Sequence, residues 1–541
     1  MGDDARHPTM QDGRRPAPPA LVATSAVAEV LDETPIGAFH VRALIASGLG
    51  FFTDSYDLFI IGTATALLKG EWHLSTTDVS LVGSSTLFSA FLGAIVLGRL
   101  ADIVGRRRVY RFVAVVMVLG AVASALSPNL GVLIASRLVL GFGIGGDYPV
   151  SAVLMSEFSN RHSRGRLVSL LFSMQALGLI VGPIVGMTLL AAGSGVDTAW
   201  RLMLGLGALP AGAAVYFRRR IPESPRFAER VQGAKDAAAA EVAGIAGIAT
   251  NGSSARPLHA SGESAVPLAD RGPRVGARMQ MTLGDMARHP RLLLVLLGTA
   301  GSWFAFDYAY YGNTISTPIV LHSVDPSSSL LAKLAWTLIV FVVAALPGYV
   351  LAFATMDRIG HKRLQLIGFA IMAGAYLVAG AVPGIASSVV PFLLCYGISY
   401  FFAEFGPNTT TFVLPSELFP TGARTTAHGT SAGVAKAGAC IGVFAVPVLI
   451  AHLGLRGSLL VSAGAAGLGL LFTLLLPEPA GRALDEVSGE HALLAARAGA
   501  GETEAASTVV GGSTADGSPV LAASARTAGT AMLADSSSTH P

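Results

Sequence analysis

Ionisable side chains lie inside long runs of apolar residues at several points of the chain. In residues 141–158, GFGIGGDYPVSAVLMSEF, Asp147 and Tyr148 follow four glycines of a mostly apolar stretch. A charged side chain at the centre of a membrane-spanning helix costs roughly 2.5–3.5 kcal/mol on insertion scales, so such residues are rare and usually functional. Small residues let a neighbouring helix approach closely. We therefore expect this stretch to be a helix that lines a polar cavity near the membrane midplane.

The composition is that of an integral membrane protein. The 541 residues are 52% hydrophobic and 13% charged, whereas soluble domains carry about 25% charged residues. The net charge of +3 is no argument for nucleic-acid binding, because the basic residues cluster at the predicted membrane edges. Cys395 and Cys440 lie in apolar segments, which indicates buried thiols rather than a disulfide scaffold. The polar, proline-rich N-terminus has no apolar core typical of a cleaved signal peptide.

Twelve stretches are long and apolar enough to cross a bilayer, which takes about 20 residues. They lie at roughly 41–68, 78–100, 108–127, 129–157, 165–192, 199–217, 290–322, 330–355, 364–383, 387–416, 425–452 and 456–476. The sequence therefore predicts an all-α membrane protein of twelve transmembrane helices in two six-helix, pseudo-symmetric halves, 41–217 and 290–480. The remaining segments are polar or rich in small residues, so we expect 1–40 and 481–541 to be disordered and 218–289 to be a mostly disordered linker with room for a short Ala-rich helix.

Basic residues fix the expected orientation. The second, fourth and sixth spans are each followed by an arginine cluster, while the alternate connections are nearly free of basic residues; the clusters are Arg99, Arg106, Arg107, Arg108 and Arg111, then Arg161, Arg164 and Arg166, then Arg218, Arg219 and Arg220. The positive-inside rule then places both termini and the linker in the cytoplasm. We expect an integral membrane protein of the cell (plasma) membrane.

Charged clusters repeat between the two halves. The pattern Asp-x-x-Gly followed by two basic residues occurs after spans 2 and 8, and Ser-Glu followed by Arg seven residues past the Glu occurs after spans 4 and 10. Homologous halves with corresponding clusters are typical of alternating-access transporters. The clusters are predicted to form ion pairs that close a cytoplasmic gate; their members are Asp102, Arg106, Glu157, Arg164, Asp357, Glu417 and Arg424. The simpler alternative is snorkelling charges at helix ends.

Three longer motifs carry a family resemblance. GRLADIVGRRR (98–108) is similar to the loop signature of the major facilitator superfamily. GIGGDYPVSAVLMSEF (143–158), FFTDSYDLF (51–59) and FGPNTTTFVLPSELFPTGARTTAHG (405–429) resemble the phosphate:proton symporters of fungi and plants. The resemblance covers both halves, and it implies the major facilitator fold with inorganic phosphate and protons as transported partners. Glu404 departs from the family pattern, which usually has Asn there, and Ala435 stands where glycine is usual.

Phosphate in a low-dielectric site needs hydrogen-bond donors, and polar residues in the apolar runs can supply them. Trp303, Asp307 and Tyr311 recur every four residues and so span about 80° of one helix face, although an interfacial aromatic belt is an alternative for the two aromatics. The resemblance implies substrate ligands at these three positions. The predicted substrate-binding set is Tyr148, Gln175, Trp303, Asp307, Tyr311, Asn408 and Lys436. Lys436 either pairs with a carboxylate or attracts phosphate.

Proton coupling requires carboxylates that change protonation state. Asp54 and Asp57 lie within one turn of span 1, and Asp147 lies in span 4. Burial and a bound anion both favour the protonated form of a carboxylate, so phosphate binding and proton uptake favour each other. Arg137 is the candidate counter-charge for Asp57 or Asp147, or else a snorkelling residue. Of the three aspartates, Asp54 and Asp147 are the preferred proton carriers.

The predicted function is proton-coupled uptake of inorganic phosphate by alternating access. Two alternatives stay open: a sugar or other organic-solute porter on the same scaffold, and a phosphate receptor that signals with little flux. We expect no cofactor, no metal and no enzymatic activity, because the sequence contains no metal-ligand cluster, nucleotide-binding loop or nucleophile–base set.

Overall fold

The computed structural model describes residues 26–246, 281–490 and 492–493, and these residues form helices without strands. The helices of the first half are α1 (Ala26–Glu33), α2 (Ala38–Glu71), α3 (Thr76–Val104), α4 (Arg106–Ala125), α5 (Leu130–Phe158), α6 (Arg164–Ser173), α7 (Gln175–Ala191), α8 (Val196–Leu206) and α9 (Ala208–Arg218). Three helices follow before the second half: α10 (Pro225–Phe227), which runs into a π-helical turn at Ala228–Gln232, α11 (Lys235–Ala246) and α12 (Leu283–Ala287).

The second half repeats this arrangement. Its helices are α13 (Pro290–Ile315), α14 (Thr317–Val324), α15 (Leu330–Val340), α16 (Leu346–Ile359), α17 (His361–Ala381), α18 (Val389–Ala403), α19 (Thr409–Leu418), α20 (Arg424–Thr473) and α21 (Leu484–Val487). Two π-helical segments, Phe341–Ala345 and Glu404–Asn408, join α15 to α16 and α18 to α19.

Eleven helical segments of the described chain are long and apolar enough to span a membrane, where α6 with α7, α8 with α9, α15 with α16 and α18 with α19 each count as one segment. The last of them, α20, is a 50-residue helix with a non-helical kink at Gly454, where φ is 67°. This kink divides α20 into two crossings, so the bundle has six crossings in each half. The predicted twelve-helix fold is confirmed, with the eleventh and twelfth spans joined at the kink rather than by a separate loop.

The close approach expected around Asp147 is present between α3 and α5. A Cβ added at Gly145 would come within 2.0 Å of the Ala90 carbonyl oxygen, and one at Gly141 within 2.2 Å of the Thr86 carbonyl oxygen. Only glycine leaves room for such contacts, so α5 packs backbone-to-backbone on α3. This packing holds Asp147 and Tyr148 inside the bundle.

The internal repeat extends to backbone geometry. Gly105 ends α3 at φ 106° and ψ 143°, and Gly360 ends α16 at φ 98° and ψ 139°. In each half, a glutamate that follows the sixth crossing caps the helix that begins directly after this glycine. Glu223 accepts from the Arg106 and Arg107 N–H groups at the start of α4, and Glu478 accepts from those of His361 and Lys362 at the start of α17. Burial raises the pKa of Glu223, and Arg106 and these backbone donors oppose the shift.

Parts of the segments outside the twelve crossings are helical. Helix α1 precedes the first crossing and α21, after the last one, buries Leu484 and Val487, although both lie in segments expected to be disordered. Helix α11 is a short Ala-rich helix of the kind for which the linker was expected to have room, and it buries Val242 and Ile245. Their burial depends on apolar and charged partners supplied by the bundle, which composition alone does not reveal. The rest of those expectations, for residues 1–25, 247–280 and 494–541, lies outside the described residues.

Candidate functional site

Three polar residues predicted from the first half meet at the centre of the bundle. The Tyr148 hydroxyl donates to Asp54 Oδ2 at 2.5 Å, and Gln175 Nε2 donates to the same oxygen at 3.2 Å and to the Tyr148 hydroxyl at 2.9 Å. Helices α2, α5 and α7 supply these side chains, and all three are at most 3% exposed. The second oxygen of Asp54 is buried and has no hydrogen-bond partner among the described residues.

The second half continues this network. The Tyr349 hydroxyl of α16 donates to Gln175 Oε1 at 3.3 Å and accepts from Asn408 Nδ2 at 2.8 Å. Asn408 Nδ2 also lies 2.5 Å from Glu404 Oε2. A continuous chain of hydrogen bonds therefore connects the Asp54 carboxylate of the first half to the Glu404 carboxylate of the second. Tyr349 was not among the predicted site residues.

Lys436 provides positive charge beside this chain. Its Nζ lies 3.1 Å from Asp307 Oδ2 and 3.3 Å from the Tyr311 hydroxyl. It also lies 4.5 Å and 4.3 Å from the ring centroids of Tyr148 and Tyr311, at cation–π distance. Of the two interpretations left open for Lys436, the structure shows pairing with a carboxylate. The other oxygen of Asp307 is buried and has no partner among the described residues.

Aromatic rings enclose the polar groups. Trp303 packs 6.1 Å from Tyr148 and meets Phe412 and His428 edge-on, so its position is in the core and not in an interfacial belt. His428 Nε2 lies 3.0 Å from the Phe412 carbonyl oxygen. The predicted strip of Trp303, Asp307 and Tyr311 therefore faces Tyr148 across the two halves.

The centre is closed around its own side chains. A cavity of about 20 Å³ lies between the halves next to Gln175, Tyr310 and Tyr311. One water molecule needs roughly 10–15 Å³ by this measure, so the cavity holds little more than that. On the side away from the arginine clusters, Phe59 and Phe341 of opposite halves pack 5.3 Å apart. Entry of a larger solute requires the halves to part.

Two other buried aspartates of the first half are held by arginines. Arg137 contacts both oxygens of Asp57 at 2.5 and 2.6 Å. Arg218 contacts both oxygens of Asp147 at 2.7 and 2.8 Å. The sequence placed Arg218 with Arg219 and Arg220 in a surface cluster, but Arg218 is 0% exposed and its guanidinium lies over the Tyr110 ring. Asp147 is thus a paired charge, whereas Asp54 forms no ion pair within 4.0 Å in the described chain.

A second charged cluster closes the arginine-rich end of the bundle, defined here as the basic end. Glu157 of α5 contacts Arg106 of α4 at 3.1 Å and Arg424 of α20 at 2.8 Å. Asp102 contacts Arg106 at 3.4 Å and accepts from the backbone N–H of Thr426 at 2.6 Å. These contacts join the first half to the second.

The predicted gate residues pair both inside and outside that set. Arg164 contacts Asp32 of α1, outside the set, at 3.0 Å, whereas Arg424 pairs across the halves with Glu157. His361 lies 2.9 Å from Glu417 and 3.2 Å from Asp357, where the first repeat has an arginine. No sequence pattern indicated that Asp32 would contact this cluster.

Residues from the N-terminal segment, the linker and the C-terminal segment complete the basic end. Arg226 contacts Asp32 at 2.8 Å, Arg230 contacts Asp485 at 2.7 Å and Glu490 at 3.1 Å, and Glu490 accepts from Thr421 N–H at 2.9 Å. Within the described residues, no group of three or more His, Cys, Asp or Glu side chains has the arrangement of a metal site.

Comparisons with known proteins agree with this architecture. The family described as "Sugar (and other) transporter" matches residues 42–490. The "Probable inorganic phosphate transporter 1-6" of Arabidopsis thaliana is 34% identical over 86% of this chain and 96% of its own length. The "Repressible high-affinity phosphate permease" of Neurospora crassa is 32% identical over 90% and 93%. A solved structure of the proton:xylose symporter XylE from E. coli has a TM-score of 0.67 at 20% identity, covering 84% of this chain and 99% of XylE.

Proposed function

The chain belongs to the sugar (and other) transporter family of the major facilitator superfamily, and we propose that it takes up inorganic phosphate together with protons by alternating access. The observation that carries this proposal is the central network, in which donors and carboxylates from both halves meet in one closed site. Support for phosphate comes from relatives named as phosphate transporters, which match at 32–34% identity over nearly their whole length.

The donors around the centre suit a tetrahedral anion. Tyr148, Gln175 and Asn408 carry O–H or N–H groups, and Lys436 adds a cation that is already partly neutralised by Asp307. Hydrogen bonds between charged groups and such donors are about twice as strong as neutral ones, and more so away from water. Phosphate would replace bonds that these side chains now make to each other.

Asp307 provides a test of which anion is carried. Dihydrogen phosphate has two O–H donors, while sulfate has none near neutral pH, and an ionised carboxylate can only accept. The unpartnered oxygen of Asp307 can accept from phosphate and would repel sulfate. The variant Asp307→Asn should therefore lose phosphate-over-sulfate selectivity, measured as competition of each anion with labelled phosphate. Full retention of selectivity would contradict this role.

Asp54 is the proposed proton carrier of the first half. Asp57 and Asp147 have bidentate arginine partners, whereas Asp54 forms no ion pair within 4.0 Å in the described chain, although Lys436 is close enough to act on it electrostatically. An anion bound beside Asp54 favours its protonated form, and a protonated Asp54 favours the anion to the same degree. Symport follows from this reciprocity.

Alternating access would then require the basic end to open. The pairs that Glu157 and Asp102 form across the halves are the proposed gate, and none of them touches the central network. By the positive-inside rule this end faces the cytoplasm together with both termini, and the cell membrane is the proposed location.

Uptake of labelled phosphate into proteoliposomes tests the proposal. We expect uptake that increases with an inward proton gradient, is abolished by a protonophore and is unaffected by excess hexose or xylose. Gradient-independent uptake would refute proton coupling, and competition by a sugar without phosphate uptake would favour the organic-solute alternative. Folded protein that binds phosphate without flux would favour a receptor.

A further inference from the structure

Glu404 is a buried carboxylate in the second half that the proposed mechanism has not used. It lies in the π-helical segment between α18 and α19, is 0% exposed, and is in direct hydrogen-bond contact with Asn408 of the proposed substrate site. A fully buried carboxylate beside an anion site needs a physical reason to be there, because an ionised group in this position carries a large desolvation cost.

Three other buried acids of the bundle core show how this cost is usually met. Asp57, Asp147 and Asp307 each have an arginine or lysine within 3.1 Å. Glu404 forms no ion pair in the described chain. Its Oε2 has the neutral amide of Asn408 as its partner, and its Oε1 is buried without one.

Every element packed against Glu404 presents neutral groups to it. The titratable side chains facing it are the phenols of Tyr310 from α13, Tyr349 from α16 and Tyr376 from α17, and Asn408 lies one turn along its own segment. The backbone of α16 is also close, since a Cβ on Gly348 would come 3.0 Å from the Glu404 Cβ. In these surroundings no described cation offsets the charge of an ionised Glu404, so its desolvation cost is uncompensated while the halves are closed.

The position of Glu404 also links it to Asp54. The two acids are the ends of the hydrogen-bond chain that runs through Asn408, Tyr349, Gln175 and Tyr148. Each half therefore contributes one unpaired carboxylate to the same network, and separation of the halves breaks the network between Gln175 and Tyr349. Both acids would then meet water on the side that has opened.

We propose that Glu404 is a second proton carrier of the transport cycle. This inference rests on the proposed function. In each cycle the Glu404 carboxylate takes a proton from water on the side of entry, keeps it as a carboxylic acid while the centre is closed, and returns it to water on the side of release. With Asp54 also protonated and phosphate carried as the monovalent anion, one net positive charge crosses the membrane per cycle.

The experiment uses the full chain in proteoliposomes and measures how phosphate accumulation depends on a potassium diffusion potential at zero pH gradient. For one net charge per cycle, accumulation by the unaltered protein should rise about tenfold for each 59 mV, inside negative. Glu404→Gln cannot exchange a proton, so its accumulation should become independent of potential while phosphate counterflow continues. Glu404→Asp should keep the potential dependence.

The outcomes distinguish a failure of the proposed function from a failure of the proton-carrier role of Glu404. Absence of phosphate counterflow in the unaltered protein would refute the proposed function and leave no role for Glu404 in it. Counterflow by Glu404→Gln with unchanged potential dependence would overturn the proton-carrier role alone. The exposed carboxylate Glu71 supplies the matched control, because Glu71→Gln removes an acid without touching the network.

If Glu404→Gln does not fold, infrared difference spectra of the unaltered protein and Glu404→Asp decide the question. Asp54 and Glu404 should both give protonated-carboxyl bands that respond to phosphate, and only the Glu404 band should change position in Glu404→Asp. Spectra in which no phosphate-responsive carboxyl band changes position would contradict the proposal.

Discussion

Buried carboxylates have different partners at the centre of the bundle and at its basic end. At the basic end, Glu157 lies between two arginines of opposite halves, and Asp102 has Arg106 and a backbone N–H. At the centre, Asp54 and Glu404 have amide and phenol partners and no ion pair in the described chain. Fixed pairs hold a conformation, whereas unpaired acids can take up and release protons. The same residue type thus serves a structural role in one region and a proposed transport role in the other.

Substitution of Arg218 and substitution of its neighbour Arg219 should differ most in their effect on the free energy of unfolding. Arg218→Met leaves Asp147 buried without its cation, and removal of one partner of a buried pair costs about 3–5 kcal/mol. Arg219 is exposed, so Arg219→Met should change the free energy of unfolding by no more than about 0.5 kcal/mol. Thermal unfolding of the purified variants measures both, and Asp147→Asn combined with Arg218→Met should recover part of the loss. Equal stability of the two single variants would contradict the assignment of Arg218 to the core.

Glu157→Gln tests whether the basic end is held closed by paired charge. The glutamine keeps the shape but loses the charge that Arg106 and Arg424 share, at a cost of about 1–3 kcal/mol. The equilibrium should shift toward an open basic end by roughly 5- to 150-fold. Hydrogen exchange over residues 419–427, which include the Thr426 N–H bound to Asp102, should become faster.

Arg161→Gln is the control for that measurement. Arg161 pairs with Glu33 near the same end, but both side chains are largely exposed. Exchange over 419–427 should then stay as in the unaltered protein. Faster exchange in both variants would show that any lost charge at this end loosens it.

Loss of an exposed ion pair should have the smallest effect on stability. Arg482 contacts Glu486 at 2.7 Å one helical turn away, and both side chains are about half exposed. Surface pairs of this kind contribute about 0.2–1 kcal/mol. Glu486→Gln should therefore shift the melting temperature by a few degrees at most and leave phosphate uptake unchanged. A loss of stability comparable to that of Arg218→Met would mean that the pair is part of a larger network.

Much of the fold and part of the site were predictable from the sequence. Apolar runs of bilayer length and repeated charged motifs predicted the twelve-helix, two-half fold, and both it and the family resemblance are confirmed. Asp54, Tyr148 and Asn408 stood out because polar groups in apolar runs are costly, and the structure brings them into one network. The roles of Tyr148 and Asn408 in substrate binding and of Asp54 in proton coupling stay predictions.

Other features depend on packing that local sequence does not encode. Arg218, Arg219 and Arg220 look equivalent as a run of three, and only the depth of α9 in the bundle separates the buried first member from the exposed others. Tyr349 is an ordinary residue in an apolar helix until Gln175 and Asn408 are placed on either side of it. Asp32 lies in a polar segment with no pattern to suggest a partner more than 100 residues away.

The most direct test of the difference between paired and unpaired acids compares two aspartates of the same helix. Asp54→Asn and Asp57→Asn are purified and reconstituted, and thermal stability, phosphate counterflow and proton-driven accumulation are measured for each. Asp54→Asn should keep its stability and counterflow, and its proton-driven accumulation should fall, because Glu404 alone would then carry a proton. Asp57→Asn should lose stability, because Arg137 is left buried without its partner. Undiminished proton-driven accumulation in Asp54→Asn, or unchanged stability in Asp57→Asn, would contradict the division of roles.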